Sequence, residues 1–130
     1  MAHLRTALAW LLGAFFVIGG VTNLLASEGT QAQYATWGYP DWFHYVTAGL
    51  EFGTAALLFV RKSRILGAVL GVLVMCAAAG TLIRNGEYVH AIIPGVVLVL
   101  LVITGRSTLR HQRWPILPSR ETNPWEGEED

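Results

Sequence analysis

Four apolar blocks separated by polar connections organise this chain. Residues 7–26 (ALAWLLGAFFVIGGVTNLLA) run for 20 residues without a charge, the length a helix needs to cross roughly 30 Å of hydrocarbon. Residues 42–60 form a second block with Glu51 near its middle, and residues 65–83 a third with no charged side chain. Residues 89–105 form a shorter fourth, with Pro94 near its start. Proline is tolerated there because the N–H groups of a first helical turn have no internal partner. Arg5 ahead of the first block also fits a signal peptide, but Leu24 and Ala26 make a poor small-x-small cleavage site. The pattern therefore predicts an all-α fold: a four-transmembrane-helix bundle over residues 1–105, up-down-up-down, followed by a cytoplasmic tail over 106–130.

The connections sharpen this expectation. Residues 61–64 (RKSR) and 84–88 (RNGEY) are tight turns, which set the second span against the third and the third against the fourth in antiparallel fashion. Residues 27–41 are longer and mix polar residues with Tyr34, Trp37 and Tyr39, so they are expected as an outer loop folded on the bundle mouth, where Trp and Tyr favour the interface. Gly38 with Tyr39-Pro40 supplies the turn into the second span. The tail is basic, then proline-rich, then acidic, and too poor in apolar residues for a core of its own. Its basic part suits contact with anionic lipid.

Composition agrees with a bilayer as solvent. The 130 residues are 53% hydrophobic and 14% charged, against roughly a quarter charged in a typical soluble domain. Nine Lys/Arg balance nine Asp/Glu, and without a basic footprint there is no nucleic-acid partner to expect. On the alternating topology Arg5, Arg61, Lys62, Arg64, Arg106, Arg110, Arg113 and Arg120 share one side and Arg84 alone the other. The positive-inside rule then puts both termini in the cytoplasm of a plasma (inner) membrane protein. The single cysteine, Cys76, excludes an intrachain disulfide or a cysteine-based metal centre, and in its apolar run it is expected as an inert packing thiol. No metal site is expected.

Small residues mark the packing faces. Gly49/Gly53 and Gly67/Gly71 are GxxxG pairs, and Gly13 and Gly20 share a face of the first span. They serve packing within the chain or a homo-oligomer.

Glu51 is the candidate centre of chemistry. Nine residues into its span it lies about 14 Å deep, where ionisable groups are expensive and functional by default. It is either held as a neutral acid, used as a proton relay, or retained as polar glue between helices. His44 lies on the same helix face about 10 Å higher. Asn23, Arg84 and His90 belong to the same leaflet, so Glu51, His44, Asn23, Arg84 and His90 outline a polar, outward-facing pocket with Glu51 as its floor. Against this, Arg84 has the option of snorkelling to the surface and both histidines that of plain interface residues. A bis-histidine haem through His44 and His90 fails on depth, and no serine stands near the histidines for a hydrolytic triad.

Several of these residues also carry a resemblance. Gly19-Gly20 followed by Asn23, Trp37-Gly38-Tyr39-Pro40 with Trp42, the run from Ala48 through Glu51 and Gly53 to Ala55, the Arg61-Lys62 turn and Met75 together resemble the DoxX-like family of small four-helix membrane proteins, over about residues 5–105. The resemblance implies an association with redox biology, including subunits similar to those of thiosulfate:quinone oxidoreductases. A more distant relative by fold is a receptor-assembly chaperone. Glu51 matches the family's acid in the second span, whereas Asn23 stands where the family usually carries a lysine. The resulting expectation is an accessory or anchor subunit of a quinone-linked membrane system with a small-molecule pocket at Glu51 and a quinone as the possible cofactor. The alternatives are an assembly module that holds a larger membrane protein, or a small-solute transporter using Glu51 as carrier acid, the latter weakened by the lack of an inverted repeat.

Overall fold

The structure, a computed structural model, describes residues 2–111. Within them the chain forms five α-helices and no strand: α1 (Ala2–Leu25), α2 (Glu28–Thr36), α3 (Phe43–Phe59), α4 (Arg64–Arg84) and α5 (Ile92–His111), with a 3-10 turn over Arg61–Ser63. The four expected spans correspond to α1, α3, α4 and α5. Residues 112–130, most of the expected tail, lie outside the described residues.

The helix boundaries depart from the apolar pattern where polar residues continue a helix. α1 starts at Ala2 rather than residue 7, because nothing between His3 and Leu12 breaks a helix. α5 starts at Ile92 and continues through Arg106 to His111, into the segment expected as tail. Thr104 and Thr108 support this extension by donating their hydroxyls back to the Leu100 and Thr104 carbonyls at 2.9 and 2.8 Å. Pro94 occupies the first turn of α5, as expected.

The connection over 27–41 is not a simple loop. Its polar residues form α2, a helix without a buried face and hence without a hydrophobic period to betray it. Capping shapes it instead. The Ser27 hydroxyl accepts from the Thr30 N–H at 3.3 Å at the start. At the end Gly38 adopts φ +86°, the Gly38 N–H bonds to the Ala35 carbonyl and the Tyr39 N–H to the Tyr34 carbonyl, each at 3.0 Å. This is a Schellman closure, completed by the Tyr34 and Tyr39 rings in contact at 6.0 Å. α4 ends in the same way at Gly86, φ +75°, with Gly86 N–H to Ile83 and Glu87 N–H to Leu82.

α3 packs extensively on α1 and α4, α4 on α5, and α5 more lightly on α1. Glycines set the closest approaches. The Phe59 ring lies over Gly13, the Glu51 carboxyl over Gly19 and the Phe52 ring over Gly20. Gly67 lies directly against the α3 backbone at Leu57 and Leu58, Gly71 against Leu101 and Thr54, and Gly105 against Ala68. Leu12, Phe16, Ala55, Leu58, Met75, Val97 and Leu101 close the interior. The α3–α4 turn satisfies the last α3 carbonyls from its own polar residues: Ser63 Oγ donates to Leu57 O and the buried Arg64 Nε to Leu58 O, both at 3.1 Å.

Two packing expectations change. Gly49 faces outward with open space around it and Gly53 makes only an ordinary contact with Leu70, so the α3 GxxxG pair does not form a helix seam within the chain. Cys76 is exposed on the outer surface of α4 instead of buried.

The outer surface is itself apolar, with Leu11, Ile18, Leu66, Leu73, Ile93 and Val99 among many large exposed hydrophobics. A water-facing domain does not present such a continuous apolar surface. His3–Leu25, Arg61–Arg84 and Ile92–Arg110 are long and apolar enough to cross a membrane, and the chain is a small membrane protein. α3 has 17 residues, about 26 Å of helix.

The packing makes opposite forecasts for two glycines. A Cβ at Gly67 would come within 2.8 Å of the Leu58 backbone nitrogen, which cannot yield as a side chain can. Gly67→Ala should therefore destabilise the protein by about 1–3 kcal/mol. Gly49→Ala meets nothing and should be neutral or gain up to about 1 kcal/mol of helix propensity. Thermal or denaturant unfolding in detergent checks both, and equal stability of the two variants would contradict the α3–α4 seam.

Candidate functional site: a buried carboxyl beneath an aromatic cavity

Asn23 and Glu51 are brought together by the register of α1 on α3. Glu51 projects toward α1 at a point where Gly19 has no side chain; a Cβ there would lie 2.7 Å from Glu51 Oε1 and 3.0 Å from Oε2. One turn further along α1, Asn23 Nδ2 donates to Glu51 Oε2 at 2.8 Å. The carboxyl is thus buried, with 6% of the residue exposed, and held by one fixed partner.

The amide is itself fixed on every side. Nδ2 also donates to the Gly19 carbonyl at 3.0 Å, and Oδ1 accepts from the Tyr34 hydroxyl at 2.7 Å. The Gly19 carbonyl can only accept, which settles which end of the amide faces which partner. Tyr34 must then be the donor. Burial pushes the Tyr34 phenol above its ordinary value, so it stays protonated as that donor at neutral pH. Because an amide separates Tyr34 from Glu51, the chain of bonds positions the carboxyl and does not pass a proton between the two.

His44, the second residue of α3, is buried, and its Nδ1 donates to the backbone carbonyl of Asn23 at 2.8 Å. A carbonyl cannot donate, so Nδ1 carries the hydrogen. The ring lies against Tyr45 at 4.0 Å. His44 and Glu51 do not touch, yet both grip Asn23, one through its backbone and the other through its side chain. Three of the five residues expected at the pocket, Glu51, His44 and Asn23, therefore form one cluster.

Arg84 and His90 do not join it. Arg84 is exposed at the end of α4, consistent with the surface role weighed for it. His90 lies outside α5 in the preceding turn, exposed, with Nδ1 3.5 Å from Glu87 Oε2, which also faces Gln33 Nε2 at 3.5 Å. His90 belongs to the turn over 87–91 and Arg84 to the last turn of α4, and sequence depth alone does not express which way either one faces.

A cavity of about 230 Å³ opens beside Glu51, roofed by Tyr34, Trp37 and Tyr39 and walled by Phe43, Met75 and Thr81. The aromatic groups hold one another. Tyr39 stacks on Phe43 at 4.3 Å with planes 7° apart, and Tyr34 meets Trp37 edge-on at 5.6 Å. The Tyr39 hydroxyl shares a hydrogen bond with Thr81 Oγ1 at 2.7 Å, tying the roof to α4. Leu50 of α3 and Ala77 of α4 line the cavity and are also exposed, so its mouth lies between these helices on the apolar outer surface. Sequence reasoning assigned the three roof aromatics to the bundle mouth but not to a cavity. The missed signal was Gly38: as a helix-ending glycine it turns Tyr39 back over Tyr34.

Removing the space for the carboxyl tests the arrangement. In Gly19→Ala the Glu51 carboxyl has to move and the Asn23–Glu51 bond is lost, so the protein should be destabilised by about 1–3 kcal/mol, the cost of a buried group left without its partner. The Asn23 side-chain amide resonances should shift in NMR spectra of the protein in detergent, and unchanged resonances would refute the close approach.

Comparison with known proteins places the chain. No curated protein and no solved structure gives a significant match. The DoxX-like family model matches residues 7–104, most of the chain and all of the cluster around Glu51. With the membrane-span-like helices and this match over most of its length, the protein belongs to the DoxX-like family.

Proposed function

We propose that this protein is a four-span subunit of a quinone-linked membrane redox system, accessory or anchoring in role, which holds a quinone-like molecule in the cavity beside Glu51. One observation carries the reading: a buried carboxyl, fixed by Asn23 Nδ2 at 2.8 Å, forms part of a mainly aromatic and aliphatic cavity. A few convergent polar groups in an apolar pocket are the usual composition of a small-molecule site. A planar ring fits between aromatic walls, and Glu51 meets its oxygen either as donor to a quinone carbonyl or as acceptor from a quinol hydroxyl. The mouth between Leu50 and Ala77 suits a ligand already dissolved in the bilayer.

The pairings Gly13–Phe59 and Gly19–Glu51 across α1 and α3, Gly67–Leu58 across α3 and α4, and Gly71–Leu101 with Gly105–Ala68 across α4 and α5 support an up-down-up-down bundle in which α3 is the fourth span. With six of the seven basic residues among the described ones on the side of the α3–α4 turn, both termini face the cytoplasm and α2 with the cavity lies toward the outer face of the plasma membrane.

Two measurements test the proposal. Menadione titrated into the detergent-solubilised protein should bind, and Glu51→Gln should weaken binding about tenfold, the value of one hydrogen bond to an ionisable group. Equal affinity would remove Glu51 from the site. In a Cys76→Ser background, Ala32→Cys should react with an impermeant maleimide from outside intact cells and Lys62→Cys only after permeabilisation. The reverse pattern would overturn the orientation.

A further inference from the structure

A second recess lies between α4 and α5, toward the α3–α4 turn and away from the cavity beside Glu51. Gly105 of α5 faces Ala68 of α4 there, and a Cβ on the glycine would come within 3.3 Å of the Ala68 Cβ. Two small residues in contact leave a groove of about 260 Å³, with Val69 and Leu73 of α4 and Val102 and Leu109 of α5 as its exposed sides. The groove runs from Ile65 to Leu73 along α4 and from Leu101 to Leu109 along α5, about 12 Å parallel to the helix axes at 1.5 Å per residue. Its lining is apolar except for Arg106, an exposed residue without a hydrogen-bond or ion-pair partner among the described residues. Other cations gather at the same end. The 3-10 turn with Arg61 and Lys62 lies just before α4, and Arg110 follows Leu109.

We propose that this groove binds one anionic phospholipid, with an acyl chain lying in the slot between α4 and α5 and the head-group phosphate on the Arg106 guanidinium. The slot follows the helix axes, the direction in which the chains of a bilayer lie, and an empty recess between helices forfeits the van der Waals contact that holds them together in lipid. Arg106 offers an apolar stem to the groove wall and a planar fork that matches phosphate. Basic pockets between membrane helices retain anionic head groups, and the charges of Arg61, Lys62 and Arg110 at this end favour a net negative lipid over a zwitterionic one with the same chains. A second copy of the chain fits the groove less well: a two-fold axis along the helices would bring the partner's cations to the same end, like charge against like. The inference goes beyond the reading of the Glu51 cavity and does not depend on it.

Native mass spectrometry of the detergent-solubilised protein, mixed with equal amounts of phosphatidylglycerol and phosphatidylcholine carrying identical chains, reads the preference directly. The wild type should retain one lipid and favour phosphatidylglycerol about fivefold, the factor expected of one basic residue at an anionic lipid surface. Arg106→Gln should abolish that preference. Arg110→Gln, which removes the same charge one turn further along α5 from a residue that does not line the groove, should keep most of it. A second measurement needs no variant. Phosphatidylglycerol with a nitroxide midway along one acyl chain, added at one equivalent, should broaden the methyl resonances of Val69 and Val102 before those of Leu11 and Leu66, which are exposed outside the groove. Equal retention of the two lipids, a preference that survives Arg106→Gln or falls as far in Arg110→Gln, or even broadening of all four residues would overturn the proposal. A lipid-free dimer whose interface covers Val69 and Val102 would overturn it in favour of a second copy of the chain.

Discussion

A carboxyl group within a membrane helix has to be met by a donor, because hydrocarbon offers neither water nor counter-ions to replace what burial removes. In this protein Asn23 is the donor that meets the buried Glu51 carboxyl, and much of the α2 end of the bundle follows from it. Gly19 leaves room for the Glu51 carboxyl against α1. The Asn23 amide then uses its remaining atoms on the Gly19 carbonyl and the Tyr34 hydroxyl. Tyr34 belongs to α2, so the same amide that holds Glu51 also pins the short helix that roofs the cavity. His44 adds a fourth tie through the Asn23 backbone carbonyl.

The remainder of the architecture depends on close approach rather than polarity. Lipid tails are as apolar as leucine, so helices gain by van der Waals contact where small residues let them come near. Gly13, Gly20, Gly67 and Gly71 take large partners from the neighbouring helix, Phe59, Phe52, the Leu57–Leu58 backbone and Leu101 respectively. α3 gains most from this, since it receives α1 on one side and α4 on the other. Its position between them explains how a 17-residue helix with a carboxylate is accommodated among longer ones.

Much of this was legible in residue order. The four apolar blocks became the four long helices, Gly13 with Gly20 and Gly67 with Gly71 were packing faces, and Glu51 with Asn23 and His44 belonged together. What could not be read has a common cause: a one-dimensional pattern reports how apolar a position is, not which way it faces. Gly49 and Cys76 have the composition of interior residues and face outward. Arg84 and His90 share a depth with Asn23 but are turned away from it. α2 was hidden because its stability comes from Ser27, Gly38 and the Tyr34 hydroxyl instead of a buried apolar stripe.

The sequence by itself determined the solvent of this protein and the number of apolar helices, because hydrocarbon thickness and the cost of bare backbone in lipid act on each segment separately. It also marked Glu51, since a lone carboxylate in an apolar run is anomalous without any knowledge of its neighbours. The tertiary structure decided what that carboxylate meets. Only the register of α1 on α3 puts Gly19 and Asn23 opposite it, and only the Schellman turn at Gly38 folds the aromatic roof back over the space beside it. Contacts between residues 28 positions apart depend on the helices' relative rotation and translation, which are fixed by the summed packing of the bundle and by no single stretch of the chain.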